Sequence, residues 1–208
     1  MKKITAFVLA LVSLLPLARC NRASVRDEAP QTSPAAEIAC QTISADWPFY
    51  EDIHDFVEHS TLIVAGTITD ISFQLLDLRT ARPVTEETEE QYRCLHTIYT
   101  IDVTERYKGD PTEPTQMRIL GGRENDYLEE QAAALGDDIK NGIPLLENMP
   151  ELKIGETYLF ALYQYEDTVP TPVNLTQGIL SLDHTGSQDQ SSPISAEAIC
   201  SYFNRPDR

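Results

Sequence analysis

Residues 99–110 read YTIDVTERYKGD, and the pattern of this stretch decides the fold that we predict for the chain. Apolar side chains at Tyr99, Ile101 and Val103 alternate with polar ones, which is the period of a β-strand with one buried face. Gly109 follows within a Lys-Gly-Asp sequence, which predicts a turn at the end of the strand. The polar positions, which we expect on the outside of the sheet, are Thr100, Asp102 and Thr104.

Further segments on both sides carry strand and helix patterns. β-branched and apolar residues favour strands in TLIVAGTITDISF (61–73), TQMRIL (115–120), TYLFALYQY (157–165) and NLTQGILSLD (174–183). An apolar stripe of Phe49, Ile53, Phe56 and Val57 predicts a short helix before the first strand, and SAEAICSYFN (195–204) predicts another near the C-terminus. We therefore expect a mainly β fold, a small antiparallel barrel or strongly curled sheet, with a short helix at each end.

Two of these segments resemble the netrin-like domain, the OB-type barrel of the tissue inhibitors of metalloproteinases and of similar bacterial secreted proteins. The strand ending in Tyr107, Lys108 and Gly109 matches a Tyr-Lys-Gly turn of that family, and the segment from Leu152 to Leu159 matches its Leu-x-x-Gly-x-x-Tyr-Leu pattern. The resemblance covers residues 60 to 183 and implies an OB-like barrel domain over 40–208. The matching residues belong to turns and core, so they support a fold more than a function.

The N-terminal sequence has the layout of an export signal. Lys2 and Lys3 precede an uncharged, mostly apolar run that ends at Ala18, so we expect residues 1–19 to direct the protein out of the cytoplasm. Leu17-Ala18-Arg19-Cys20 resembles the lipobox of bacterial lipoproteins, which implies diacylation of Cys20, although Arg19 stands where that pattern has a small residue. Cleavage near Ala18 or Ala23 is the alternative. The protein is then lipid-anchored on the outer face of the cell membrane through Cys20, or secreted, and the polar residues 20–39 form a flexible spacer.

Charge and cysteine content limit the possible partners. The chain carries 16 Lys and Arg against 33 Asp and Glu, a net charge of −17, which argues against nucleic acid as a partner and against electrostatic docking on anionic lipids. Two of Cys40, Cys94 and Cys200 can pair in an oxidising compartment; we favour Cys40–Cys200, and the other pairings remain open. No C-x-x-C spacing occurs, so a thiolate metal site is not expected.

The sequence contains no motif that identifies a reaction. His54 and His59 are five residues apart, one more than two metal ligands on the same helix face require, and the nucleophile, phosphate-loop and dinucleotide signatures are missing. Tyr158 is expected to face away from Tyr163 and Tyr165, which can line a binding surface or pack at a rim. We predict no catalytic, cofactor-binding or metal-binding residues, and a monomeric, non-enzymatic module for an unknown protein or small-molecule ligand. A carboxylate-based extracytoplasmic hydrolase is the alternative, and a protease inhibitor is the third possibility.

Overall fold

The computed structural model describes residues 38–124, 126–183 and 192–204. These ranges contain eight strands and three α-helices, with short 3₁₀ turns at Glu90–Tyr92 and Gly136–Asn141. In chain order the strands and α-helices are β1 Cys40–Ile43, α1 Ile53–His59, β2 Leu62–Asp77, β3 Arg93–Lys108, β4 Thr115–Leu120, α2 Leu128–Leu135, β5 Ile143–Leu146, β6 Thr157–Tyr163, β7 Thr171–Pro172, β8 Ile179–Ser181 and α3 Ala196–Phe203.

A long antiparallel hairpin of β2 and β3 forms the centre of the fold. Each strand has 16 residues, and their register runs from Ile63 opposite Lys108 to Asp77 opposite Arg93. The strand predicted at YTIDVTERYKGD is confirmed, because Tyr99 and Ile101 are buried while Asp102 is exposed. Three register shifts interrupt the pairing, and such irregularities bend and twist a ribbon of this length.

Six strands form one sheet, in the order β4-β3-β2-β6-β7, with β8 also paired to β6. Every pairing in this sheet is antiparallel, so the mainly β and mostly antiparallel fold is confirmed. The predicted closure is not reached by strand pairing in the described residues, because β4 and β7 end the ladder without pairing to each other. One backbone hydrogen bond connects the two ends, from Arg118 N–H of β4 to the carbonyl of Pro170, at 2.8 Å.

The prediction that a helix precedes the first strand was wrong, because β1 comes before α1. β1 is a four-residue, largely exposed strand that pairs in parallel with β5, with Cys40 opposite Ile143 and Ile43 opposite Leu146. The sequence did not indicate β1, because four residues are too few to show the alternation of a strand and because the partner strand lies about a hundred residues away in sequence. The predicted helix itself is present as α1, but Phe49 lies before it and is 63% exposed.

The sheet separates two apolar cores. One core packs Val64 and Phe160 with residues of β3 and β4, and the other packs Ile63 and Leu159 against helices α1 and α3. The first five residues of β2, Leu62–Gly66, and most of β6 are therefore buried on both faces, which explains why these segments are nearly continuous apolar runs, whereas the rest of β2 is partly exposed. Among the described helices, none combines the length and apolar character that a membrane crossing requires.

Candidate functional site

The chain leaves β4 through Gly121 and Gly122 and delivers Arg123 to one end of the sheet. Gly122 donates its N–H to the carbonyl of Pro144 at 2.7 Å, which ties this segment to β5. A Cβ on Gly122 would collide with Oε1 of Gln131, so the close approach of helix α2 requires a glycine here. The close approach places Gln131, which is fully buried, directly behind Arg123.

Gln131 fixes the backbone on both sides of the Arg123 side chain. Its Oε1 accepts the N–H of Arg123 at 2.8 Å, and its Nε2 donates to the carbonyls of Arg123 at 2.9 Å and of Asp126 at 2.6 Å. A buried amide with its donors and acceptor satisfied costs little and orders the groups that it contacts. A single side chain of α2 therefore ties down the backbone of both Arg123 and Asp126.

The guanidinium of Arg123 is nine-tenths buried and only partly paired. Nη1 donates to the hydroxyl of Tyr99 at 3.2 Å and to the carbonyl of Leu152 at 2.9 Å. Nη2 lies 3.5 Å from a carboxylate oxygen of Asp126, at the limit of a hydrogen bond, and this carboxylate is 60% exposed. Nε is buried and has no hydrogen-bond partner among the described residues. A buried arginine with an unsatisfied N–H is uncommon and calls for an explanation.

The charge of Arg123 persists in this environment. Burial works to lower the pKa of Arg123, but the hydrogen bond to Tyr99 and the neighbouring Asp126 carboxylate raise it, and the net shift is upward. Burial raises the pKa of Tyr99, with a smaller opposing effect from Arg123, so the phenol stays protonated. The site therefore presents a permanent positive charge inside an acidic protein.

Two open clefts share Arg123, Asp126 and Glu151 in their walls. The first has a volume of about 500 Å³ and lies between the 122–126 loop, the end of β5 and residues 148–151. The second, of about 400 Å³, lies between Arg123 and the segment from Glu151 to Ile154. Together we call them the Arg123 clefts. Their volumes fall in the range of small-molecule sites, and their walls combine apolar side chains with a few charged groups.

The cysteines predicted from sequence lie apart from these clefts. Cys20, the predicted lipidation site, is outside the described residues. Cys40, in β1, and Cys200, in α3, do not form the predicted disulfide in this structure, where both are free thiols, as is Cys94. Cys40 belongs to the largely exposed strand β1, whereas Cys200 lies 3.3 Å from the hydroxyl of Tyr107 beside the second core.

None of the three described histidines lines either cleft. His54 and His59 lie on α1, where Asp55 and Glu58 complete an exposed group with His54 whose potential ligand atoms are within 4.8 Å of one another. The ring of His59 instead contacts the carbonyl of Asp55 at 2.8 Å. His96 is buried in β3, and burial lowers its pKa to about 4. His184 lies outside the described residues.

The tyrosines of β6 and the residues after it have the predicted orientations. Tyr158 is buried in the first core, whereas Tyr163 and Tyr165 are exposed at 46% and 57%.

Arg123 and Gln131 were missed by the sequence reasoning. The available signal was weak: a lone arginine after two glycines within an acidic segment, GGREND, which resembles an ordinary surface loop.

Comparisons of the chain with protein-family models, curated proteins and solved structures give no match. The resemblance to netrin-like barrels therefore stays a prediction based on the turn and core residues. The functional argument consequently depends on the geometry around Arg123.

Proposed function

We propose that this protein is an exported, lipid-anchored, non-enzymatic binding module that holds a small ligand in the Arg123 clefts. The observation that carries the proposal is the buried, incompletely paired guanidinium of Arg123 between two clefts. Taking an arginine out of water is costly unless its N–H groups are paired, and a purely structural arginine would be expected to use all of them. A bound ligand supplies the missing partners.

The proposed scaffold is an OB-like barrel of the netrin type. Support comes from the strand order and from the two contacts that join its ends: Arg118 N–H to the carbonyl of Pro170, and Arg118 Nε to the carbonyl of Val169, both at 2.8 Å. A sheet whose two edges touch encloses one face as a core and leaves its ends and rims for ligands. The Arg123 clefts lie beyond the end of β4, where a rim site is expected.

The location at the membrane is tested by the mass of the mature chain. We expect protein from the membrane fraction to begin at Cys20 with a covalently attached lipid, and Cys20→Ser to shift the protein to the soluble fraction. A mature chain that starts at another residue, or an unmodified Cys20, would contradict the anchor and leave the secreted form.

The binding role is tested by thermal shift of the mature protein against a panel of organic acids, amines, amino acids and sugars. We expect at least one class to raise the melting temperature, because a ligand that binds only the folded state stabilises it. The shift should be lost in Arg123→Lys and kept in Arg93→Lys, a matched control whose Nε already donates to the carbonyl of Thr88 at 2.8 Å. A panel without any hit, or hits that Arg123→Lys leaves unchanged, would refute binding in these clefts.

A further inference from the structure

The unpaired part of Arg123 is one particular edge of its guanidinium. Nη1 is occupied by Tyr99 and Leu152, so the atoms left are Nε, which has no partner in the described residues, and Nη2, which has only the 3.5 Å approach of Asp126. Nε and Nη2 point their N–H bonds in parallel along the same side of the guanidinium. This edge forms two parallel hydrogen bonds with a carboxylate, the strongest pairing that an arginine makes.

The Asp126 carboxylate stands near this edge without completing the pair. It is 60% exposed, and its nearest approach to Nη2 is longer than a charge-assisted hydrogen bond by more than half an ångström. Because Nε has no accessible surface, binding at this edge requires a neighbouring side chain to move, and the exposed Asp126 carboxylate is the group that lies beside Nη2. A second carboxylate can then form two short bonds where Asp126 forms a single long one.

The other charged residues of the first cleft determine which charged groups the rest of the ligand can carry. Glu124 and Glu151 join Asp126 among its lining residues, so the wall of this cleft contains three acidic residues and one arginine. Lys153 lies 3.3 Å from Glu151 and lines the second cleft rather than the first. A dianion such as phosphate is repelled by this excess of negative charge, whereas a ligand that adds an ammonium group to its carboxylate is attracted.

The apolar part of the wall indicates the character of the ligand between these charges. Leu145, Leu146, Met149 and Pro150 line the same cleft. An aliphatic group fits such a surface, since burying apolar area is favourable at about 25 cal/mol per Å². The cleft volume of about 500 Å³ leaves room for a molecule of amino-acid size.

We propose that the first cleft binds a zwitterion of amino-acid size with an aliphatic side chain, its carboxylate on the Nε and Nη2 edge of Arg123 and its ammonium among Glu124, Asp126 and Glu151. This inference depends on the proposed binding function and specifies its ligand. The carboxylate replaces the long contact from Asp126 and satisfies the buried Nε. The acidic wall excludes doubly charged anions from the same position.

Calorimetric titration of the mature protein with four matched probes tests the proposal. The probes are leucine, isoamylamine, which lacks the carboxylate, 4-methylpentanoate, which lacks the ammonium, and inorganic phosphate. We expect leucine to bind at least tenfold more tightly than each of the other three, about 1.4 kcal/mol per tenfold step. Equal affinity for leucine and isoamylamine, or tighter binding of phosphate, would overturn the assignment.

Variants locate the site. Arg123→Lys keeps the charge but loses the paired edge, so leucine affinity should fall at least tenfold, while Arg93→Lys should leave it unchanged. If Arg123→Lys fails to fold, Glu151→Gln at the exposed side of the cleft provides the second measurement, with an expected several-fold loss for leucine and none for 4-methylpentanoate. Unchanged leucine binding in the folded variants would place the ligand elsewhere and refute the inference.

The panel separates failure of this inference from failure of the proposed function. Leucine-type zwitterions without effect, together with another compound class whose thermal shift depends on Arg123, would refute the zwitterion and retain the binding module. No Arg123-dependent ligand in any class would refute both.

Discussion

At the residue scale, Gly109 shows how one backbone position sets the end of the central hairpin. It leaves β3 with a φ of +76°, and a Cβ built on it would collide with the carbonyl oxygen of Thr61, the residue before β2. Both the backbone conformation and the close approach of the neighbouring chain therefore exclude larger residues. The Lys-Gly-Asp turn is thus a tertiary requirement as well as a local one.

Replacing this glycine should separate the free-energy cost of the positive φ from the cost of the collision with Thr61. Gly109→Ala should lower the free energy of unfolding by about 3 kcal/mol, because it adds a backbone collision to the strained φ. Gly155→Ala is the matched control, with a φ of +88° and no atom within 4 Å of its Cβ, and should cost about 1 kcal/mol from conformation alone. Urea denaturation of both variants measures the difference, and equal losses would show that the collision relaxes away.

His96 makes stability depend on pH in a predictable direction. It is 2% exposed, and burial lowers its pKa to about 4 from the usual 6.5, with smaller effects from the Cys94 carbonyl and the charge of Arg118. Above pH 6.5 the ring is neutral in both states. Between pH 6.5 and 4 the unfolded chain binds a proton that the folded chain does not, so stability falls as the pH falls, by about 2 kcal/mol from pH 7 to pH 5.

Urea denaturation at pH 7 and pH 5 checks this prediction against His96→Gln. The glutamine does not titrate, so its loss of stability over the same interval should be smaller by about 2 kcal/mol. Identical pH dependence in the two proteins would mean that His96 is protonated in the folded state near its ordinary pKa.

At the scale of elements, α2 is a short helix attached both by the buried Leu135, which packs with Leu95 and Ile143, and by the polar side chain of Gln131. It spans Leu128–Leu135, begins after Tyr127 in the left-handed region with a φ of +56°, and has no side-chain cap at its N-terminus. Gln131 compensates by bonding to the 123–126 loop through both its oxygen and its nitrogen. Helix and loop therefore depend on each other, and the position of Arg123 depends on both.

Removing the amide of Gln131 should weaken stability and binding together. Gln131→Ala leaves the N–H and carbonyl of Arg123 and the carbonyl of Asp126 without their partner, which should cost about 3 kcal/mol. The exposed neighbour Glu130 provides the control, since Glu130→Ala should change stability by less than about 0.5 kcal/mol. Thermal denaturation measures the stability of both variants. A Gln131→Ala protein as stable as Glu130→Ala would show that water replaces the amide at no cost.

At the scale of the whole molecule, the relation between the two ends of the sheet is the main architectural question. The pairing order ends at β4 and β7, yet Arg118 of β4 reaches the carbonyls of Val169 and Pro170 just before β7 through its side chain and backbone. These two hydrogen bonds, which we call the seam, join the edges locally and do not form a continuous strand ladder. They bring the two edges of the sheet together, as the proposed barrel requires.

Hydrogen exchange of the Arg118 amide tests this seam. If the two edges remain together, this amide should exchange only with global unfolding, at the rate of central amides in β2 and β3. Exchange that is faster by several orders of magnitude would show that the sheet opens at the seam and is not a closed barrel. Central-strand amides recorded in the same experiment are the internal reference.

The sequence predicted those parts of the fold that depend on neighbouring residues. The alternation through YTIDVTERYKGD determined the strand and its buried face, because successive side chains of any strand point to opposite sides. TQMRIL gave β4 with its bounds, and the helix-forming segments of α1 and α3 were found for the same reason. The end of β2 was underestimated, because the predicted strand stopped at Phe73 whereas β2 continues to Asp77 before the charged loop.

The sequence by itself determined strands β2, β3, β4, β6 and β8, the turn glycine and the acidic composition, since these follow from local pattern and composition. Only the tertiary structure decided the parallel pairing of β1 with β5 and the environment of Arg123, which Tyr99, Leu152 and Gln131 create from three separate segments. The physical reason is that burial and hydrogen-bond pairing depend on distance in space. An arginine in a loop sequence is an ordinary surface group until folding removes the water from its guanidinium and leaves one edge without a partner.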